Sequence, residues 1–394
     1  MSDLKNKRII TAAVTGAWPK KEHNPNVPMT PSEIADDVYA VWKAGAAIAH
    51  LHMRDDEGNG TMDHNKFAET VKLIKERYPE CDIILNLTTS GDGEDVLIPG
   101  IMEHIERTGI HSGDSISVYP ADFMDRGALD KAIEYLRKIV SALKITGLVN
   151  VQYVYDGKNV YIIEVNPRAS RTVPILSKAT GIPMVKTATE VMLGKKLKDM
   201  PYGTGLYKKS KVYAVKVPVF SGAKLPEMEV AVGPEMRSTG EALGMDKDPD
   251  CAIYKGFKGA GVPIITEGGV YVSLRDHDKT GPSAEILKKY VLKGFKLYGS
   301  LGTALYLKDR GIECQGIKLT KVSEMLGKGI DLVINVPQVS NNAAKGMFSI
   351  RRQAIEKGIP VLTCMDTARA YLIASGVKRS GKQVSYKPLF GEDE

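Results

Sequence analysis

Regular strand–helix alternation between Gly268 and Ser375 narrows the possible folds of this chain more than any other feature. Tyr271–Leu274, Phe295–Gly299, Ile330–Val336 and Pro360–Cys364 read as strands. Ala284–Leu292, Thr303–Asp309, Ile350–Lys357 and Thr367–Ser375 read as the helices between and after them. Parallel strands need crossover connections, and helices with short Gly-marked turns supply them, so the segment predicts a doubly wound parallel sheet. Such sheets bind ligands at the carboxyl ends of their strands. Lys279 follows the first strand, Ser300 and Thr303 lie in a Gly-Ser-Leu-Gly-Thr turn after the second, and Asn335 closes the third. That turn fits a phosphate cradle at a helix start; it also fits a plain tight turn with a Thr N-cap.

Asn150–Arg171 carries a different signal. Two β-branched and aromatic runs, Val151–Tyr155 and Val160–Val165, flank Asp-Gly-Lys-Asn, which predicts a hairpin. A three-residue loop, Gly157–Asn159, places Gln152 opposite Glu164; a two-residue loop turns Gln152 to the wrong face. Glu164 and Asn166 share a face by strand alternation. Three oxygen ligands, Gln152, Glu164 and Asn166, then converge at a strand end, a set that suits Mg²⁺ accompanying nucleotide phosphates. Arg168 and Arg171 follow and suit phosphate or carboxylate oxygens. An ordinary hairpin with a polar exit satisfies the same spacing.

The first ninety residues read as βαβαβ, the opening of a parallel α/β fold. Arg8–Val14, Ala46–His52 and Asp82–Leu87 are the strands, and the helices start at Thr30-Pro31-Ser32-Glu33 and at Lys66. Thr30 as N-cap, Pro31 at the first position and Glu33 at the third are helix-start chemistry. His50 and His52 lie on one face of a strand and can chelate a divalent metal such as Zn²⁺; local hydrogen bonding is the bland alternative.

At 394 residues the chain has room for two or three cores. A net charge of +7 with 7% aromatic residues, and no basic run interleaved with aromatics, argues for phosphorylated small molecules over nucleic acid. Cys81, Cys251, Cys314 and Cys364 are scattered without metal or disulfide spacing, as in a reducing cytoplasm. No apolar run reaches the ~18 residues of a membrane span, and the N-terminus lacks a signal-peptide core.

Two resemblances cover the chain. From about Asp92 onward, DGEDVLIPGIMEHIERTGIHSGDS, EVNPRASRTVPILSKATGIP, GPEMRSTGE, GFKLYGSLGTALYL and SIRRQAIEKGIPVLT resemble the C-terminal part of carbamoyl-phosphate synthetase large chains. That resemblance implies an ATP-grasp C-terminal lobe over residues 92–200, a connecting region over 201–262 and a methylglyoxal-synthase-like effector domain over 263–394. It implies Gly109, Ile110, His111 and Ser112, with Gln152 and Glu164, as ATP contacts, and Mg²⁺ or Mn²⁺ on Gln152, Glu164 and Asn166. It gives Arg168 and Arg171 catalytic roles, and it makes Lys321 a stand-in for a phosphate-contacting lysine of the effector site. Glu106 and Asp114 match positions that contact the activator ornithine, while the third acidic position is apolar, near Val217. Implied partners are ATP, carbamate or bicarbonate, a glutaminase small chain and a UMP- or IMP-type effector. Residues 1–91, through ITAAVTGA, MTPSEIADDVYAVWKAGAAIAHLHMRD and LNLTTSG, resemble the N-terminus of the β-keto acid cleavage enzymes, Zn-dependent TIM-barrel lyases. There the His-Leu-His pair supplies two of three zinc ligands; this chain holds about three of the eight barrel strands. Three functions follow as expectations: carbamate phosphorylation weakened by loss of the first ATP-grasp lobe, a nucleotide-monophosphate sensor, and a lyase fragment.

Overall fold

A computed structural model describes residues 11–15, 20–61, 63–81, 84–86, 95–122, 124–222, 224–225, 228–337 and 341–377. The seam at Gly91–Asp92 and the strand residues Asp82, Ile83 and Leu87 lie outside the described residues. The chain divides into two compact units, Met1–Thr89 and Ser90–Glu394.

The first unit holds β1 (Thr11–Ala13), α1 (Pro31–Lys43), β2 (Ile48–His50), β3 (Met53–Arg54), β4 (Gly60–Thr61), α2 (His64–Arg77) and β5 (Ile84–Asn86). β1, β2 and β5 form a parallel sheet with β2 in the middle. The Thr30 hydroxyl and Glu33 carboxylate complete a capping box at α1, as the residue types predict. Ile34, Ala35 and Val38 of that helix are buried with Ala49 and Leu51 from β2 and just beyond it. β2 ends at His50, two residues before the run of strand-forming residues does.

The second unit begins with β6 (Leu97–Ile98), β7 (Glu103–His104), β8 (Ser117–Tyr119), α3 (Arg126–Ala142), β9 (Asn150–Tyr155) and β10 (Val160–Asn166). Next come α4 (Thr172–Thr180), α5 (Met184–Met192), β11 (Gly205–Leu206), β12 (Tyr213–Val219), β13 (Gly240–Asp246) and α6 (Pro249–Gly259). β7, β8, β12 and β13 form a four-stranded antiparallel sheet in the order β13-β12-β8-β7. Residues 201–262, read as a connecting region, therefore supply two seven-residue strands to the sheet that carries the loop 109–114. The helices expected to cover the hairpin do not. Ile175, Leu176 and Ala179 of α4 bury against Tyr119 and Ala214 of the sheet, while α3 covers the hairpin through Ala128 and Ala132 against Val160, Tyr153 and Tyr155. The apolar stripe of α4 lies on the sheet, where Tyr119 and Ala214 bury it.

The rest of the unit holds β14 (Gly269–Ser273), α7 (Gly281–Leu292), β15 (Lys296–Gly299), α8 (Leu301–Lys308), β16 (Gln315–Gly316) and α9 (Leu319–Met325). It closes with β17 (Leu332–Asn335), α10 (Asn341–Glu356), β18 (Val361–Leu362) and α11 (Met365–Ser375). The five strands are parallel in the order β16-β15-β14-β17-β18. The expected doubly wound sheet is present. Its order reverses between β14 and β17, so the ligand crevice of such a sheet falls where Ser273 pairs with Asn335.

Candidate functional site

The hairpin reaches the expected pairing by an unexpected route. Asp156 N–H donates to Asn159 C=O at 3.2 Å, leaving Gly157-Lys158 as a two-residue loop, with Gly157 at φ 92°. The three-residue loop is thus corrected: the Asp156 carboxylate accepts from both Lys158 N–H and Asn159 N–H and holds the shorter turn. Up to Ile162↔Tyr153 the register follows that turn, and it would set Gln152 opposite Ile163. A bulge between Ile162 and Glu164 then shifts the pairing by one residue, so Glu164 faces Gln152 and Asn166 faces Asn150. Gln152 Nε2 donates to Glu164 Oε2 at 2.8 Å.

Asn166 Nδ2 is buried with no hydrogen-bond partner. A half-turn of the amide puts an acceptor oxygen in the same place, so the orphaned group fits a cation better than it fits the bare hairpin. Glu164 is the one carboxylate of the three, and it is exposed. Among the described residues no group of three His, Cys, Asp or Glu side chains could hold a metal. One carboxylate with two amides is a poor standing metal site. It is a reasonable set for Mg²⁺, which keeps several waters and shares ligands with phosphate oxygens.

The two arginines diverge. Arg168 is exposed, and its guanidinium donates to the carbonyl of Ala169 at 2.9 Å. Arg171 turns toward β13: Nη1 donates to Ser238 Oγ (2.6 Å), Nη2 to Ser238 O (3.0 Å), and Nε lies 3.4 Å from Glu241. Its fork is engaged within the protein, which makes it a brace for the hairpin exit.

The loop Gly109-Ile110-His111-Ser112 joins β7 to β8. His111 N–H donates to Gly233 O at 2.7 Å. Both oxygens of Asp114 accept backbone N–H groups, from Arg237 and Ser238, at 2.8 Å each. Below the loop lies a residue that sequence reasoning passed over. Lys216 is 1% exposed, and its ammonium donates to Ser112 O (2.8 Å) and Gly113 O (3.3 Å). Burial pushes Lys216 down to about 8. Burial likewise pushes the Glu106 carboxyl up to about 7, against hydrogen bonds from Thr367 Oγ1 (2.8 Å) and Ile116 N–H (2.7 Å). Lys216 sits in an apolar-looking strand, Tyr-Ala-Val-Lys-Val-Pro-Val, and a lone lysine there is a signal of an inward charge. Val217 points the other way, into the core, where a Cβ on Gly256 would lie 2.6 Å from it.

At the parallel sheet the expected effector residues separate into groups. Ser300 is the N-cap of α8, where a Thr cap was one reading. Its hydroxyl donates to Thr303 Oγ1 (2.8 Å), which also accepts Leu274 N–H (3.0 Å). Lys279 Nζ lies 3.3 Å from where a Cβ on Gly302 would stand, so its ammonium rests on the first turn of α8. It is held by Asp276 at 2.6 Å. Lys279, Ser300 and Thr303 therefore come together at one helix start. Asn335 lies at the switch point, but its side-chain oxygen is taken by the guanidinium of Arg351. Lys321 is exposed on α9 and pairs with Glu324 at 3.0 Å.

In the first unit, the His50 and His52 rings are 4.6 Å apart, edge to face. Burial, followed by the charges of His50 and Arg54, lowers the His52 pKa and favours the neutral, metal-binding form. Two imidazoles are short of the three or four ligands that zinc takes.

These features define an ATP-grasp lobe and an MGS-like domain in one unit, with a lyase-like segment ahead of them. Family profiles agree: beta-keto acid cleavage enzyme over residues 7–165, ATP-grasp in the biosynthetic pathway with Ter operon over 127–212, and MGS-like domain over 283–363. The first span runs past Gly91 and overlaps the second. The chain is homologous to carbamoyl phosphate synthase large chains over about three quarters of its length. That of Clostridium acetobutylicum is 52% identical over 307 residues, covering 77% of this chain and 29% of the relative. That of Clostridium botulinum is 47% identical over 306 residues, 76% of this chain and 28% of the relative. That of Lachnoclostridium phytofermentans is 44% identical over 319 residues, 77% and 30%. The chain thus spans under a third of the length of these relatives. Among solved structures, a biotin carboxylase domain of a single-chain bacterial carboxylase aligns with a TM-score of 0.30 at 15% identity, covering 50% of this chain and 49% of that one, too distant to carry an argument.

Proposed function

We propose that the second unit is the later jaw of a carbamate-phosphorylating ATP-grasp site joined to a domain that senses a nucleoside monophosphate. The pairing of Gln152 with Glu164 through the Ile163 bulge, with Asn166 orphaned beside them, carries this reading. Glu164, Gln152 and Asn166 would hold Mg²⁺ between the protein and the phosphates, where it neutralises charge during phosphoryl transfer. Arg168, exposed beside them, orients phosphate or carbamate oxygens. Arg171 fixes where the hairpin ends. Backbone groups of Gly109–Ser112 contact the nucleotide, and Lys216 holds that loop in place.

Phosphoryl transfer depends on charge neutralisation from both sides of the phosphate. In this reading the second unit supplies one side. Tyr161, Ile162 and Ile163 leave an apolar strip of the hairpin in solvent, the kind of surface an opposing lobe covers. Purified chain titrated with Mg-ATP is expected to bind it weakly and to make little carbamoyl phosphate from bicarbonate and ammonia. Robust synthesis by this chain alone would overturn the one-jaw reading. A UMP- or IMP-type ligand would place its phosphate on Lys279, Ser300 and Thr303. Ornithine is not proposed as an activator, because Glu106 and Asp114 are both engaged internally and Val217 is in the core. A glutaminase small chain is the proposed source of ammonia.

A second reading, a Zn-binding lyase remnant, rests on the His50–His52 pair and the matching lyase profile. Bound zinc after dialysis is expected at well below one equivalent and to vanish in His52→Ala. Stoichiometric zinc in the wild type would restore the lyase reading.

A further inference from the structure

We infer that the segment Glu229–Ser238 is a mechanical strap that couples the effector crevice to the nucleotide loop, with the Glu229–Arg351 ion pair as its latch. The inference rests on the two-site reading above and adds the route between the sites.

The strap's contacts run in order along the chain. At its start, the Glu229 carboxylate takes the fork of Arg351 on α10: Nε donates to Oε1 at 2.9 Å, and Nη2 reaches Oε2. The third donor of the same guanidinium, Nη1, holds the side-chain oxygen of Asn335 at the end of β17. Arg351 is nearly fully buried, and these two partners take its fork. In the middle, Val232 N–H donates to Thr363 Oγ1 at 3.2 Å, just past β18. Gly233 O then accepts His111 N–H at 2.7 Å, inside the nucleotide loop. At its end, Arg237 N–H and Ser238 N–H both bind Asp114, and Ser238 Oγ donates to Gly113 O at 3.2 Å. Ser238 is also where Arg171 anchors the hairpin exit. Ten residues thus touch α10, the residue after β18, the nucleotide loop and the exit from the hairpin in turn.

The latch has a reason to move. Asn335 lies in the crevice where β14 and β17 part, and its oxygen is held by Arg351. A ligand seated in that crevice, with its phosphate on Lys279, Ser300 and Thr303, offers the guanidinium further oxygen acceptors that compete with the neutral amide of Asn335. Arg351 cannot serve the ligand, Asn335 and Glu229 with one fork. A cavity of about 630 Å³ flanked by Glu229, Val232, Arg237, Phe348 and Arg351 gives the strap room to shift. A ligand can only bias an equilibrium through contacts that differ between its states, and the Arg351 fork is such a contact.

The test uses the full chain, UMP and Mg-ATP. Dissociation constants for each are measured by calorimetry alone and with the other ligand saturating, in wild type, Glu229→Gln and Arg351→Lys. Hydrogen exchange is followed at His111, Arg237 and Ser238. In the wild type, UMP is expected to change the Mg-ATP constant by about 5-fold or more, with the reciprocal change for UMP. UMP is also expected to alter exchange at the three amides. Glu229→Gln is expected to carry the Mg-ATP constant to the value the wild type shows with UMP bound, to bring the coupling ratio near 1, and to expose the three amides without any ligand. Arg351→Lys, which keeps the charge and loses the fork, should do the same to the amides. Coupling that survives in Glu229→Gln, or amides as protected as in wild type, overturns the strap. If neither ligand binds the wild type, the two-site reading fails and the strap fails with it; if both bind without coupling, only the strap fails.

Discussion

Glu106→Gln is expected to remove the loss of stability that this protein undergoes between pH 4.5 and 7 from ionisation of one buried carboxyl. The Glu106 carboxyl is raised by burial from 4.5 to about 7, so the folded chain holds a proton there that the unfolded chain gives up. In that window the folded state binds more protons, and its stability falls as pH rises. The contribution is fully present below pH 4.5 and lost as pH rises through 7. The shift sets an upper scale of about 3 kcal/mol, at ~1.4 kcal/mol per pH unit. Gln keeps the shape and the acceptor for Thr367 without ionising. Its cost is the acceptor that Ile116 N–H now uses, about 1 kcal/mol. Urea unfolding of wild type and Glu106→Gln at pH 5 and pH 7 measures the difference; parallel pH slopes would show that Glu106 ionises freely. Lys216 acts with opposite sign at higher pH. Burial lowers it from 10.5 to about 8, so the unfolded chain holds more protons there and stability rises between those values. The two groups together leave a stability minimum near pH 7 to 8, where each is charged in its own buried place.

Glu164→Ala is expected to weaken Mg-dependent ATP binding at least about 10-fold while leaving the fold intact. Loss of a partner in the outer shell of a metal site already costs 10- to 100-fold in affinity, and Glu164 would be a direct ligand and the one charged member of its set. It is exposed and accepts a hydrogen bond from Gln152, so truncation costs about 1 kcal/mol of stability. Calorimetry with ATP, with and without Mg²⁺, separates the metal term from the nucleotide term. Equal Mg-ATP binding by wild type and Glu164→Ala would remove the hairpin from the site and the ligase reading with it.

Much of this protein is legible without coordinates because its signals are local. The alternation from Gly268 onward specifies a parallel sheet, since the period of apolar residues and the Gly-marked turns belong to neighbours in the chain. The capping box at Thr30 and Glu33, the Asp-Gly turn and the Ser300–Thr303 hydrogen bond at a helix start are equally short-range, whereas Lys279 reaches that helix start only because β14 and β15 pair. Tertiary structure decided the rest. The turn at Gly157-Lys158 sets one register and the bulge at Ile163 sets another, and a one-residue slip in a strand exchanges its faces. The four-stranded sheet joins β8 to β12, about a hundred residues apart, and that pairing brings Lys216 under the loop Gly109–Ser112. Arg351 reads as one more basic residue of a helix until β17 and the strap close around it. Local periods and turn chemistry are written in contiguous residues. The partners of buried charges are chosen by which distant surfaces meet, because only contact in three dimensions can repay their desolvation.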